Sequence, residues 1–344
     1  MIIGQIFGGH YRVINLLGKG GFGETYLTED LHLPDHPQQV LKLLNPDSDD
    51  PFVLQTARRL FETESKVLYA LGTNDRIPQL FSHFEENGDF YLVQELIVGH
   101  DLTQEITPGN RLSEHEVLHL LHDILEVLSF VHHQGVIHRD IKPSNLMRRQ
   151  SDGKIVLIDF GAVKEIGSQL QNTQASTNPT IPIGTDGYMP SEQMNGHPKF
   201  ASDIYAVGMV GIQALTGVSP DQLPKDPNTL EVIWRNRVSV SSNFAAFLDK
   251  MIGYRYQERH PSADAALQDI KGIISASLSN TVVSSTPKFN LLNFLSKLPL
   301  PAKLGMSVIS LGLVTITIMA VAANRFSPSP QPTAAPAPNE KWKW

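Results

Sequence analysis

Cysteine is absent from the 344-residue chain, which excludes disulfides, thiolate metal sites and a cysteine nucleophile while leaving the compartment open. There is no excess of positive charge either: 28 Lys and Arg stand against 35 Asp and Glu, a net charge of −7. A nucleic-acid binder normally carries a basic patch, so no nucleic-acid partner is expected. The N-terminal Met-Ile-Ile-Gly-Gln has no basic stretch and no cleavage site, so no secretory leader is expected, and whatever precedes a membrane segment should stay in the cytoplasm. Long uncharged apolar runs are missing except for Leu304–Ala323, and no internal repeat is visible. The 41% hydrophobic and 18% charged residues fit a globular protein and rule out wholesale disorder.

Composition shifts divide the chain. Residues 11–97 read as strand-rich: Tyr11–Leu17 and Thr25–Thr28 flank a glycine loop, Gln39–Leu44 follows, and Phe90–Leu96 is a dense apolar run of the kind found in buried strands. Between them, Ala57–Leu71 has helical spacing. Residues 98–274 read as helical. Ser113 and Glu116 form a capping box ahead of Val117, Leu120, Leu121, Ile124, Leu125, Leu128 and Val131, which cover one face of a long helix. The expected architecture is therefore α+β and bilobal, a small β-rich lobe followed by a larger helical one. Residues 275–303, rich in Ser, Thr, Pro and Asn, read as a juxtamembrane linker. Residues 304–323 are twenty uncharged residues between Lys303 and Arg325, enough to span ~30 Å of hydrocarbon as a single transmembrane helix. Residues 324–344 form a short extracytoplasmic tail with five prolines within 327–338, prone to extended structure.

The residues that carry chemistry come in a fixed order. Gly18-Lys-Gly20-Gly-Phe-Gly23 is a G-x-G-x-x-G loop, in which glycine lets the backbone approach phosphates closely. The dinucleotide-binding version of this loop opens a helix, whereas here Thr25-Tyr-Leu-Thr continues as a strand. Lys42 sits in an apolar strand, where a buried ammonium needs an anion, and Glu64 stands beside the apolar face of a helix. His138-Arg139-Asp140-Ile-Lys142-Pro-Ser-Asn145 and Asp159-Phe160-Gly161 follow. Phosphoryl transfer needs a carboxylate to orient the attacking hydroxyl and oxygen ligands for a metal bridging the phosphates. Asp140 supplies the first, Asn145 and Asp159 the second.

With these motifs in place, residues 11–272 resemble the eukaryotic-type (Hanks-type) serine/threonine protein kinases of bacteria. The resemblance implies a bilobal kinase fold and ATP with Mg2+ (or Mn2+ in its place). It places Gly18, Gly20 and Gly23 over ATP, with Thr25 and Val40 in the nucleotide pocket. Lys42 would hold the α- and β-phosphates, paired to Glu64. Gln94 falls at the gatekeeper position, and Glu95, Leu96 and Ile97 form the hinge for adenine. Asp140 is the implied catalytic base, Lys142 steadies the γ-phosphate, and Asn145 and Asp159 bind the metal. Lys142 within Asp-Ile-Lys-Pro-Ser-Asn resembles serine/threonine rather than tyrosine kinases, so protein Ser and Thr are the expected acceptors.

The resemblance also implies a buried Asp203 that steadies the catalytic loop and a buried pair between Glu192 and Arg259. Pro190-Ser191-Glu192 stands where the family usually has Ala-Pro-Glu, Thr25 replaces valine and Val40 replaces alanine. Autophosphorylation is expected within Thr173–Thr180, with a homodimer for the trans reaction, and Thr185 is expected beside Asp140. A kinase-like scaffold without activity would have lost Lys42, Asp140, Asn145 or Asp159, and all are present. A small-molecule phosphotransferase fits the Gly184–Glu192 segment less well than a protein kinase does. Lysines and arginines flank the membrane segment evenly, so the requirement for cytoplasmic ATP decides orientation: kinase domain in the cytoplasm, one helix in the plasma or inner membrane.

Overall fold

A computed structural model describes residues 2–20, 23–44, 51–160 and 187–284. The chain divides into the units Met1–Ser279 and Asn280–Trp344, and the architecture below is that of the first. Its N-terminal part is an antiparallel sheet in the order β1-β2-β3-β4-β6-β5: β1 Ile6–Phe7, β2 Tyr11–Gly20, β3 Gly23–Asp30, β4 Gln38–Leu44, β5 Leu80–Glu86 and β6 Asp89–Glu95. Helix α1, Pro51–Leu71, lies between β4 and β5.

Strand alternation gives the sheet two different faces. Tyr11, Val13, Tyr26, Leu41, Tyr91 and Val93 form one apolar cluster, sealed by Phe7, whose ring stacks on Tyr91 at 5.0 Å. Their neighbours Val40, Lys42 and Gln94 therefore point to the opposite face and line a cavity. The strands run further into the glycine loop than the sequence suggests: β2 continues to Gly20, which is paired with Gly23. A Cβ on Gly23 would lie 1.9 Å from the Leu43 carbonyl oxygen, so only glycine permits this close approach of β3 to β4.

The second part is built on helices α2 Glu114–His133, α3 Ser191–Met194, α4 Phe200–Thr216, α5 Ser242–Ile252 and α6 Ala263–Ser284, with a small sheet of β7 Gly99–Asp101, β8 Leu146–Arg149 and β9 Ile155–Leu157. The expected capping box is present: Glu116 N donates to Ser113 Oγ at 3.3 Å and Ser113 N donates to Glu116 Oε2 at 2.8 Å. Helix α4 is apolar nearly all round and buried nearly all round, the pattern of a helix through the middle of a core. Gly208 allows α5 to approach it, since a Cβ there would meet Ile252 at 2.7 Å.

Two differences from the sequence reading are structural. Strand β1 adds residues before 11 to the sheet. Helix α6 runs past 274 to Ser284, into the stretch read as linker. There Ser275 and Ser277 Oγ donate to the carbonyls of Lys271 and Ile274 at 2.8 and 2.7 Å, so these side chains bond to the helix backbone of the preceding turn. Among the described residues no helix is long and apolar enough to cross a membrane. Leu304–Ala323, the tail beyond it, Gly161 and the expected phosphorylation sites Thr173–Thr180 and Thr185 lie outside the described residues.

Candidate active site

A cavity of about 430 Å³ opens between the sheet and the helical part. Gly18, Thr25, Val40, Lys42, Gln94, Glu95, Leu96, Ile97 and Asp159 all line it, as the sequence reading expected. The β3–β4 register sets Thr25 opposite Lys42, and the β4–β6 register sets Val40 opposite Gln94. Sequence reasoning missed several lining residues, among them Leu17, Pro78, His100, Asp101, Ser144 and Met147. Ser144 sits within the His138–Asn145 motif and Leu17 beside Gly18, whereas His100, Asp101 and Met147 carry no local signal and enter only because β7 and β8 pair at this edge of the cavity.

The loop between α2 and β8 carries the polar machinery, and one aspartate organises it. Asp203, fully buried on α4, accepts the backbone N–H groups of His138 and Arg139, each at 2.8 Å. It also accepts from His132 Nε2 at 2.9 Å; a carboxylate can only accept, so that imidazole nitrogen carries the proton. Arg139 has a left-handed backbone, φ 68°, a conformation costing about 1–3 kcal/mol that persists only when its surroundings impose it. The two amide bonds to Asp203 do so. Asp203 is thereby the loop-steadying aspartate expected from the sequence.

His138 is buried and locked in one tautomer. Its Nε2 faces the Ile158 carbonyl at 3.1 Å, so it donates there, while Nδ1 accepts from Asp140 N at 3.3 Å. Burial pushes its pKa down, against the opposing pull of Asp203, Asp140 and Asp159, and the ring stays neutral. Phe160 packs on it with centroids 4.6 Å apart.

Asp140, Lys142 and Asn145 converge. Asn145 Nδ2 donates to the Asp140 carbonyl at 2.8 Å and to Asp140 Oδ2 at 2.6 Å, and Lys142 Nζ lies 3.2 Å from the same carboxylate oxygen. With its amide nitrogen committed to Asp140, Asn145 offers Oδ1 as an acceptor. Asp159 also has a left-handed backbone, φ 61°, and its carboxylate opens partly onto the cavity. Burial works to raise its pKa, but the Lys42 ammonium beside it outweighs that and holds it below the usual carboxylate range.

One expected contact is not made. Lys42 Nζ pairs with Asp159 Oδ1 rather than with Glu64. Glu64 is buried with Oε2 lacking any hydrogen-bond partner, and burial pushes its pKa up to about 8, against the pull of Lys42. The physical reason is competition for one ammonium. Asp159 offers an ionised oxygen in contact with Lys42, whereas Glu64 would have to ionise in an apolar setting before it could attract the lysine.

The expected Glu192–Arg259 pair is present. Arg259 Nη1 lies 2.7 Å from Glu192 Oε1, with side chains 0% and 9% exposed. The guanidinium also donates to the carbonyls of Gly253, Ala201 and Tyr254 at 2.6, 3.0 and 3.1 Å, and it lies over the Tyr205 ring at 4.8 Å.

Comparison with known proteins places this geometry. A family model for the protein kinase domain matches residues 11–270. The chain belongs to the protein kinase family. It is 45% identical over 266 residues to serine/threonine-protein kinase B of Synechocystis sp., covering 76% of this chain and 46% of the relative. It is 42% identical over 274 residues to serine/threonine-protein kinase PknA of Nostoc sp., covering 79% and 49%. The chain thus spans about half the length of these curated relatives. The crystal structure of the Mycobacterium tuberculosis PknI kinase domain matches with a TM-score of 0.59 at 24% identity, covering 79% of this chain and 99% of that one. At that identity the likeness shows the fold: the curled sheet and helical part described above are the two lobes of a protein kinase.

Proposed function

We propose that the protein is an ATP-dependent serine/threonine protein kinase that transfers the γ-phosphate to Ser or Thr of protein substrates. The observation that carries this reading is that Lys142 Nζ and Asn145 Nδ2 both meet the Asp140 carboxylate, at 3.2 and 2.6 Å, together with a cavity that Lys42 and Asp159 line. The curated relatives named as serine/threonine kinases support the choice of acceptor.

Each residue has a role that its surroundings suit. The Asp140 carboxylate orients the acceptor hydroxyl and takes its proton, with Asn145 and Lys142 holding it in place. Lys142 neutralises charge on the transferring phosphoryl group. Lys42 receives the α- and β-phosphates, beneath the loop of Gly18, Gly20 and Gly23. Glu95, Leu96 and Ile97 form the hinge that seats adenine, between Thr25 and Val40. Asn145 Oδ1 and the Asp159 carboxylate are hard oxygen donors and would hold Mg2+ (or Mn2+). Such an ion would supply charge neutralisation for the transferring phosphates.

The remaining parts of the reading concern organisation. The kinase lobes span 11–97 and 98–274, the segment 275–303 links them to the membrane, Leu304–Ala323 crosses it once, and 324–344 emerges outside. The kinase domain is cytoplasmic, and autophosphorylation within Thr173–Thr180 regulates it in a homodimer.

The test is phosphate transfer from labelled ATP by the full chain in detergent, with an Asp140→Asn variant and phosphoamino-acid analysis. Phosphoserine or phosphothreonine falling about 10²–10⁴-fold in the variant is the expected result. No transfer by folded wild-type protein that binds ATP would favour a kinase-like scaffold instead. Deleting 304–323 should move the protein from the membrane fraction to the soluble one.

A further inference from the structure

We propose that His115 and His119, one turn apart on α2, form a binding site for a divalent transition metal of tetragonal preference, Cu2+ or Ni2+. Neither residue lines the nucleotide cavity, and the proposal is independent of the kinase reading.

The sequence supplies the pattern. His115-Glu116-Val117-Leu118-His119 has the H-E-x-x-H spacing, which sets two imidazoles on one face of a helix where one metal can bridge them. Both lie inside α2, and the Ser113–Glu116 capping box holds the first turn that carries His115. In metalloproteases with this spacing the glutamate is the general base. Here Glu116 Oε2 accepts from Ser113 N and Ser113 Oγ at 2.8 and 2.6 Å, so it serves the helix cap. The pattern is one for binding, without hydrolytic machinery.

Geometry selects the metal. The two ring centroids are 4.5 Å apart and the ring planes are inclined at 57°. A metal ~2.1 Å from a ring nitrogen lies about 3.2 Å from that ring's centroid, so centroids at this separation subtend about 90° at the ion. That is the angle between adjacent ligands of a tetragonal Cu2+ or Ni2+ site. Tetrahedral Zn2+ would need the centroids ~5.2 Å apart. Imidazole also suits these metals better than it suits Mg2+ or Ca2+.

A second close histidine pair shows what the first has. His10 and His32 stack at 4.3 Å with planes only 6° apart. An imidazole lone pair lies in the plane of its ring, so parallel stacked rings cannot aim at one ion. The inclined rings of His115 and His119 can. Both side chains are exposed and face an open hollow of about 520 Å³ that Glu105, Asp152 and Arg148 also line, which leaves room for the rest of the coordination shell. The protein supplies two ligands, since among the described residues no group of three His, Cys, Asp or Glu is gathered to hold a metal. Water fills the remaining positions.

The experiment is calorimetric titration of Ni2+ into the untagged, nucleotide-free full chain in detergent, together with electron spin resonance at one equivalent of Cu2+. Wild-type protein is compared with His115→Gln, His119→Gln and His122→Gln, the last a histidine lining the same hollow. Removing either ligand ends the chelate, so His115→Gln and His119→Gln should each weaken Ni2+ binding about tenfold or more. The Cu2+ spectrum should show two imidazole nitrogens in wild-type protein and in His122→Gln, and a single one in the other two variants. Equal Ni2+ affinity in wild-type protein, His115→Gln and His119→Gln would place the ion elsewhere and overturn the proposal. An equal loss in His122→Gln would overturn the assignment to this pair, and absence of Ni2+ binding by wild-type protein would leave only a solvated histidine face.

Discussion

The Lys42 ammonium pairs with Asp159 across the nucleotide cavity, while Glu64, the partner expected from the sequence, is buried with Oε2 unpaired. Two carboxylates compete for one cation here, and the ionised, partly exposed one holds it. The arrangement keeps together two side chains that the kinase reading assigns to phosphate and to metal.

Glu64 makes stability depend on pH in a definite direction. Burial raises its pKa from 4.5 to about 8, so the folded state keeps a proton that the unfolded chain releases above 4.5. The folded state binds more protons through this window, and stability falls as pH rises from 4.5 towards 8. Glu64→Gln keeps the shape and removes the titration. Urea unfolding between pH 5 and 8.5 should give a flatter stability profile for the variant, and identical slopes would refute the assignment.

Arg259 cannot be removed without leaving Glu192 as an unpaired buried charge. Arg259→Leu should therefore lower unfolding free energy by about 3–5 kcal/mol in urea titrations. Glu192→Ala should cost a similar amount, because three backbone carbonyls cannot neutralise the guanidinium they accept from. A loss under ~1 kcal/mol in both would mean that the pair behaves as a solvated surface contact.

Asp203 shapes the Asp140 loop through the backbone. Asp203→Asn has one oxygen instead of two for the amides of His138 and Arg139, and Arg139 loses part of what imposes its left-handed conformation. The expected outcome is a fall in kcat of about tenfold or more, with KM for ATP little changed, since Asp203 does not line the nucleotide cavity. An equal rise in KM with kcat unchanged would place the effect on nucleotide binding.

Arg76 ties the turn before β5 to the helical lobe. Its guanidinium donates to the Ile155 carbonyl at 2.9 Å and lies 2.9 Å from both Asp123 Oδ1 and Glu126 Oε2, and Asp123 in turn accepts from Ile155 N at 2.6 Å. Arg76→Ala leaves the part-buried Asp123 and a buried carbonyl without this partner. It should cost about 3 kcal/mol, more than an exposed pair such as Arg58–Glu85, which should be worth under ~1 kcal/mol. Comparing the two variants by thermal unfolding checks this.

The chemistry was legible because phosphoryl transfer restricts residue types at fixed spacing. Asp140, Asn145, Asp159 and Lys42 stand in motifs, and the Ser113–Glu116 capping box announces α2 by local hydrogen bonding alone. Glu192 and Arg259 were recoverable through family resemblance although 67 residues separate them. Arg76 was not, since nothing around it signals that its partners arrive from α2 and β9.

Local sequence determines which segments are strands and helices and which side chains carry charge suited to nucleotide chemistry, because those properties depend on near neighbours and on side-chain type. Tertiary structure alone decides which carboxylate takes Lys42, that Glu64 keeps its proton, that Asp203 imposes the geometry of Arg139, and that Gly23 packs against the Leu43 carbonyl. Burial and competition for partners set each of these outcomes, and both arise only when distant segments pack together.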